Sequence, residues 1–372
     1  MNERHGKYWR ILRYAVHYFS VAVGFLLRLI FGEDTSCVVR HIRVKGPHAN
    51  KALSSSTETT ESSVRIVFLS DFHASGKPRC PQALIEDARE KALAAKPDII
   101  VLGGDYVDAP QDNVLLEMMK GTLFRPLCSC SNSNGDSSVV VAALGNHDQS
   151  RPWLRKQVIE TLQDTGITVL DHSCLSLPQL GVKVVGVGDL STRGDFKPED
   201  LLLPAEHSVT GCQCCSTPVG REYDVERVID LTTPSAVPST DDTDQQQIFE
   251  KDDELMIVAV THNPDAGEDL LLKYKCDIVL AGHTHGTQIW LPLVGPLLPW
   301  LKLHAWSWLQ PAVRLLHGSN VKHWEWSVGL NKLWCHCGKR EALLYVNSGI
   351  GHHPPCRIRC PPEVTVLDII RQ

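Results

Sequence analysis

Five short segments carry side chains that ligate metal ions. They are Ser-Asp-Phe-His (70–73), Gly-Gly-Asp-Tyr-Val-Asp (103–108), Gly-Asn-His-Asp (145–148), Thr-His-Asn-Pro (261–264) and Gly-His-Thr-His-Gly (282–286). The candidate ligands in them are Asp71, His73, Asp105, Asn146, His262, His283 and His285. Carboxylate and amide oxygens mixed with imidazole nitrogens, and no thiolate, suit Mn, Fe or Zn and argue against a cysteine-held structural zinc. Taken singly, several have plainer readings. Asp105, after two glycines, could end a turn or cap a helix. Asn146 and His147 could form a turn, and His262 could be a core histidine. His283 and His285 are harder to account for by packing, because they lie one residue apart between glycines and imidazole is the commonest metal ligand.

The elements that must position these residues are strands. Residues 64–70, 98–102, 139–144, 255–260 and 277–281 are apolar runs, each ending just before one of the five segments. Short continuous apolar runs are the mark of buried strands. Runs at 182–187, 342–346 and 364–370 extend the list, and residues 81–95 and 153–164 read as helices. Strands alternating with helices imply an α/β sheet protein. In such sheets, sites form outside the carboxyl ends of the strands, so five strands would deliver their polar residues to one crevice.

In order and type the five segments resemble the motif series of the calcineurin-like metallophosphoesterase superfamily, from residue 64 to about 370. The resemblance implies a four-layer αββα sandwich of two mixed sheets. It implies a dinuclear site, with one divalent ion on Asp71, His73 and His285, the other on Asn146, His262 and His283, and Asp105 between them. It makes His147 the general acid beside the leaving oxygen, oriented by Asp148. Two metals ~3.5–4 Å apart clamp a phosphoryl group, and metal-hydroxide attack then proceeds at neutral pH. The expected reaction is hydrolysis of a phosphoric ester or diphosphate bond.

Within the superfamily, the protein phosphatases carry an arginine where Ala109 follows Asp108. The stretch 282–296 is similar instead to a branch of membrane-associated phosphodiesterases and UDP-diacylglucosamine pyrophosphohydrolases. The tail, Asn-Ser-Gly-Ile-Gly (347–351) and residues 355–364, resembles that branch too, whereas Thr287 replaces its usual glycine. Arg357 and Arg359 are candidates for phosphate contact or for solvated strand positions.

The N-terminal region points to a membrane. Residues 14–31 are apolar apart from His17, Ser20 and Arg28, and Lys7, Arg10 and Arg13 precede them. That length is at the short limit for a spanning helix, and the flanking cations suit an anchor. Residues 1–35 therefore read as an anchor-helix region, 36–63 as a linker and 64–372 as the catalytic domain. Two polar insertions near 128–138 and 206–254 read as unstructured. Seven of the nine tryptophans fall between Trp290 and Trp334, an apolar segment fit to cradle acyl chains or to pack as a cap. Together these features point to a lipid-linked or membrane-surface substrate. The competing expectations are a non-catalytic scaffold of the same fold and a membrane adaptor.

The net charge of -6 provides no basic face for nucleic acid. Thirteen cysteines, an odd number with several in close pairs, argue against a complete disulfide framework. The pairs Cys335/Cys337 and Cys356/Cys360 lack standard zinc-ribbon spacing.

Overall fold

The computed structural model describes residues 22–23, 25–45, 63–75, 80–108, 113–189, 255–304, 321–335, 341–352 and 356–370. Two six-stranded mixed sheets dominate it. The first has the order β1-β14-β2-β3-β4-β5: β1 is Val38–Lys45, β2 Ser63–Leu69, β3 Ile99–Leu102, β4 Val139–Ala142, β5 Thr168–Val169 and β14 Glu363–Ile370. The second has the order β12-β13-β9-β8-β7-β6, comprising β6 Ser173–Leu177, β7 Val182–Val187, β8 Met256–Thr261, β9 Ile278–Ala281, β12 Gly329–Trp334 and β13 Glu341–Val346. In each sheet the parallel strands that lead to the ligand segments are central: β2, β3 and β4 in one, β8 and β9 in the other.

The strand sequences explain the layering. In β2, Ile66 and Phe68 point into a core shared by both sheets, where they meet Val258, Val260 and Leu280. Their alternates Val67 and Leu69 point to a second core on the outer face. This two-residue period lets one strand feed both layers. On the outer face lies α1 (Gln82–Ala94), which buries Leu84, Ile85, Ala88 and Ala92, one stripe of an amphipathic helix. It stops at Lys96, in left-handed backbone, before Pro97. The same core takes in Leu154, Val158 and Leu162 of α4 (Pro152–Gln163) and the helical stretch α2 (Asn113–Met119), a π turn (Lys120–Phe124) and α3 (Arg125–Cys128). On the far side of the second sheet, Leu270 and Leu271 of α5 (Gly267–Tyr274) close a third core. Helix α6 (Leu297–His304) follows a two-stranded hairpin of β10 (Trp290–Leu291) and β11 (Gly295–Pro296).

The strands and helices expected from apolar runs are present with ends shifted by one or two residues. Other expectations change. Part of the segment read as linker is β1, parallel to β14 across its full length from Val38↔Glu363 to Lys45↔Ile370. Its sequence, VVRHIRVK, is exposed at most positions because it forms the sheet edge, so no apolar run announced it. The insertion at 128–138, read as unstructured, is an ordered loop. Asn132 Oδ1 accepts the N–H groups of Asn134 and Asp136, both at 2.9 Å, and its Nδ2 donates to Asp98 Oδ1 at 2.9 Å. The insertion at 206–254 lies outside the described residues. So does half of the apolar run 14–31; residues 25–31 are helical, and among the described residues no helix is long and apolar enough to cross a membrane.

Candidate metal centre

The carboxyl ends of β2, β3, β4, β8 and β9 converge, and their backbones turn sharply there. Asp71, His73, Asp105, His283 and His285 all hold positive φ, between 48° and 70°. Such left-handed backbone is costly for non-glycine residues and gathers at functional sites. The turns are laced together: Asp71 N–H donates to Gly104 O and His73 N–H to Asp105 O, both at 2.9 Å, and Gly282 N–H donates to His262 O at 2.9 Å. Two glycines are required by closeness. A Cβ on Gly104, at φ +92°, would lie 2.3 Å from Gly145 N, and one on Gly282 would lie 2.3 Å from Asp71 Oδ2.

Six of the seven expected ligands fall into two groups, Asp71/His73/His285 and Asp105/His262/His283, with the ligand atoms of each group within 4.8 Å of one another. Asp105 lies between the groups, its Oδ2 being 3.1 Å from His262 Nε2 and 3.5 Å from His73 Nε2. In the first group, His285 Nε2 is 3.0 Å from His73 Nε2 and 3.5 Å from Asp71 Oδ1. The backbone N–H of His283 donates to both Asp71 oxygens at 3.0 Å, which ties the second group to the first. Asn146 follows β4 beside them. Its neighbour His147 donates its backbone N–H to Asp105 Oδ1 at 2.8 Å, and the Asn146 Oδ1 atom is buried without a hydrogen bond. Among the described residues, the other cluster of three His, Cys, Asp or Glu side chains close enough to hold a metal ion is His73/Asp108/His147, which adjoins these two.

The electrostatics follow from crowding. Burial pushes the Asp71 and Asp105 carboxyls up, yet both are held well below the usual carboxylate range. His262 and His73 do this for Asp71, and His262 and His147 for Asp105. Burial pushes the His73 imidazole down, but Asp108, Asp71 and Asp105 lift it to about 9. His262 is driven well above its ordinary value, against burial, by Asp105 and Asp71. His283 is lowered, by burial and then by His262.

His147 and Asp148 are both at the site, but they are not partners. The Asp148 side chain is fully buried and accepts three backbone N–H groups: Asp105 at 2.7 Å, Gly145 at 2.9 Å and Tyr106 at 3.0 Å. Burial and Asp105 push this carboxyl up to about 7. With its oxygens occupied by the loops carrying Asp105 and Asn146, it braces those loops and does not orient His147. That contact belongs to Asp108, whose Oδ1 is 3.0 Å from His147 Nδ1. Asp189 also escaped the sequence reading. It follows β7, is buried, and its charge raises both His262 and His283. A buried acid after an apolar run was the available signal, the same one that found Asp71. Arg357 is buried and donates to carbonyl groups, so it is neither a phosphate contact nor a solvated residue, whereas Arg359 is exposed. Thr287 is buried at φ +63°, a conformation that favours the glycine it replaces. Cys335, Cys356 and Cys360 are buried.

The comparisons with known proteins agree with this geometry. The chain is 28% identical over 310 residues to the phosphodiesterase YaeI of Escherichia coli, covering 82% of each protein. It is 26% identical over 311 residues to the UDP-2,3-diacylglucosamine pyrophosphatase LpxG of Chlamydia muridarum, covering 82% of this chain and 83% of the relative. The profile of the calcineurin-like phosphoesterases matches residues 64–287, which span all five ligand segments and more than half of the chain. The chain therefore belongs to the calcineurin-like phosphoesterase family and is a metal-dependent phosphoester hydrolase.

Proposed function

We propose that this protein is a dinuclear phosphodiesterase or pyrophosphohydrolase acting on a lipid-linked or membrane-surface substrate, with His147 as general acid. One divalent cation would be held by Asp71, His73 and His285, the other by Asn146, His262 and His283, with Asp105 shared. The observation that carries this reading is the contact between His262 and Asp105. His262 Nδ1 is 2.8 Å from Gly103 O, which can only accept, so Nδ1 carries the ring proton. In the neutral ring Nε2 is then a lone pair facing the carboxylate oxygen of Asp105 at 3.1 Å. Two acceptors at that distance call for a cation or a proton between them. The buried Asn146 Oδ1, which accepts no hydrogen bond, fits the same demand. Mn, Fe and Zn all suit these donors.

Two bound cations would polarise the phosphoryl group and acidify the attacking water. The rest of the chemistry is the chain's own. Asp105 fixes His147 by accepting its backbone N–H, and Asp108 engages its Nδ1. In a ring held through Nδ1, Nε2–H is the proton to be passed to the departing oxygen. His147 is 32% exposed and so within reach of a substrate, in contrast to the buried His73 and His262.

The substrate class is supported by two things. One relative is named for a diacylated nucleotide sugar. The helical residues 25–31 also expose Phe25, Leu26, Leu29, Ile30 and Phe31, as an anchor at the bilayer interface would. The decisive experiment uses the full chain in detergent, loaded with Mn²⁺, on a lipid-linked diphosphate and on its soluble headgroup analogue. Faster turnover of the lipid-linked form is expected. Equal turnover would remove the lipid assignment, and no turnover of either by folded, metal-loaded protein would leave a scaffold.

A further inference from the structure

Arg357 heads the fully buried side chains by volume and is 1% exposed. Among the described residues no carboxylate pairs with it. Its guanidinium gathers carbonyl oxygens instead. Nη2 donates to Ser348 O at 2.6 Å, to Gly349 O at 3.2 Å and to Gly351 O. Nε donates to Gly351 O at 3.2 Å, and Nη1 to Cys360 O at 3.2 Å and His285 O at 3.4 Å. A planar fork of five N–H donors is the one side chain that can collect so many acceptors at once.

Three of these carbonyls lie in the turn at 347–351 and one is that of His285 itself, while Cys360 O comes from the segment that leads into β14. The turn at 347–351 lies against the Asp71 loop: Ile350 N–H donates to Ser70 O at 3.0 Å and Gly351 N–H to Asp71 O at 2.7 Å. The fit is close enough that a Cβ on Gly349 would lie 2.8 Å from the Asp71 Cβ. Gly351 O is also 3.3 Å from His285 Nδ1. It therefore accepts the Nδ1–H of that ring and leaves Nε2 facing His73 and Asp71. A carbonyl that fixes the tautomer of a ligating histidine is the usual outer support of a metal site. Arg357 holds this carbonyl and the backbone of His285 with the same guanidinium.

We infer that Arg357 is a positioning residue for one metal of the pair. It clips the Asp71 loop and the His285 turn together, so that Asp71, His73 and His285 are set before a cation arrives. Its hydrogen bonds do not reach the Asp105/His262/His283 group. Its charge is spread over carbonyl oxygens and not presented to the ligands. The inference rests on the two-metal reading above.

The test is a metal titration of the full chain with Mn²⁺, read as bound equivalents and affinity alongside kcat and KM. The wild type should bind two equivalents. Arg357→Lys and Arg357→Met should keep one and weaken the other by roughly 10–100-fold, as losses of outer support do. Activity should return at high Mn²⁺ through kcat, with KM unchanged. Glu363→Gln is the comparator. Glu363 supports the same turn from its other side, through the Ser348 hydroxyl at 3.1 Å, without a bond to Arg357. It should lower stability and leave both affinities alone. An Arg357→Lys protein that binds both ions normally, or loses both equally, overturns the inference. A wild type that binds fewer than two equivalents overturns the two-metal reading instead. Amide exchange in the wild type then tests the clip alone, and does so even if the variants do not fold. The Ile350 and Gly351 amides should be as protected without metal as with it, and free exchange in the metal-free protein would show that no clip exists.

Discussion

The Oδ1 atom of Asp108 lies 3.0 Å from Nδ1 of His147 and 3.5 Å from Nδ1 of His73, so one carboxylate faces two imidazoles at the edge of the metal centre. His147 is lowered by burial but raised overall, by Asp105 and then Asp108. In Asp108→Asn that support is lost. The His147 pKa should fall, and the alkaline limb of kcat/KM should move to lower pH, because the protonated imidazole is the active form. Bound cations lower the His147 pKa in both proteins, so the direction of the difference is unaffected. The expected loss in kcat, compared at saturating metal because Asp108 also faces Nδ1 of His73, is about 10²-fold, the lower end for general acid catalysis. A pH–rate profile and metal analysis of the same samples check this.

Asp148→Asn should behave differently. An amide cannot accept three N–H groups through two oxygens, and its NH₂ would face donors from Asp105, Tyr106 or Gly145. Leaving one buried donor unsatisfied costs about 1–3 kcal/mol. A chemical denaturation curve should show that loss, together with weaker metal binding. The pH profile of the remaining activity should keep its alkaline limb. A shifted limb would return Asp148 to the role of orienting His147.

These two residues show what was legible in the sequence. Each expected ligand follows an apolar strand, and Asp105, Asn146, His283 and His285 lie beside glycines, so the candidate set could be assembled from local pattern. Asp148 is adjacent to His147 in sequence and was paired with it for that reason. The backbone turns Asp148 inward, and Asp108, thirty-nine positions upstream of His147, arrives from the end of the neighbouring strand β3. Pairing across strands leaves no local trace. Arg357 was invisible as a buried residue because arginine is ordinarily exposed. Only the fold shows that five carbonyl groups surround it. Strand β1 was missed for the opposite reason, since a half-exposed edge strand has too few apolar positions to stand out.

That edge strand is fastened by Asp87, which gives a pH prediction away from the metals. Asp87 Oδ2 accepts Cys37 N–H at 2.8 Å, and its other oxygen accepts from Lys91. Burial pushes this carboxyl up, but Lys91 and the Cys37 N–H hold it below its ordinary value. A lowered folded pKa means that the stabilisation is complete above the unfolded value of about 3.9 and is lost as pH falls through the folded one. Asp87→Asn should cost about 1 kcal/mol at pH 7, as for one hydrogen bond and a partly screened ion pair. The gap between variant and wild type should close below about pH 4. Urea denaturation at pH 7, 5 and 3.5 would measure it, and a gap independent of pH would mean that Asp87 does not act through its charge.

The position of β1 also decides how membrane attachment must be tested. A truncation to Ser63 would strip β1 from β14 and expose a long sheet edge, which invites pairing with other chains. Lost liposome binding in such a protein would mean nothing. Truncation after Phe31 keeps Cys37, its bond to Asp87 and all of β1. This shorter protein should retain its fold and its activity on a soluble phosphodiester while losing liposome binding. Within the full chain, Leu29 is 69% exposed and Ile30 61% exposed. Burying such a side chain in lipid contributes about 1.5–3 kcal/mol. Leu29→Ser and Ile30→Ser should therefore each weaken vesicle partitioning by on the order of 10-fold or more. Co-sedimentation with vesicles measures this. Unchanged partitioning in the double variant would place the membrane contact elsewhere, with the exposed Leu293 and Trp300 as the next residues to replace.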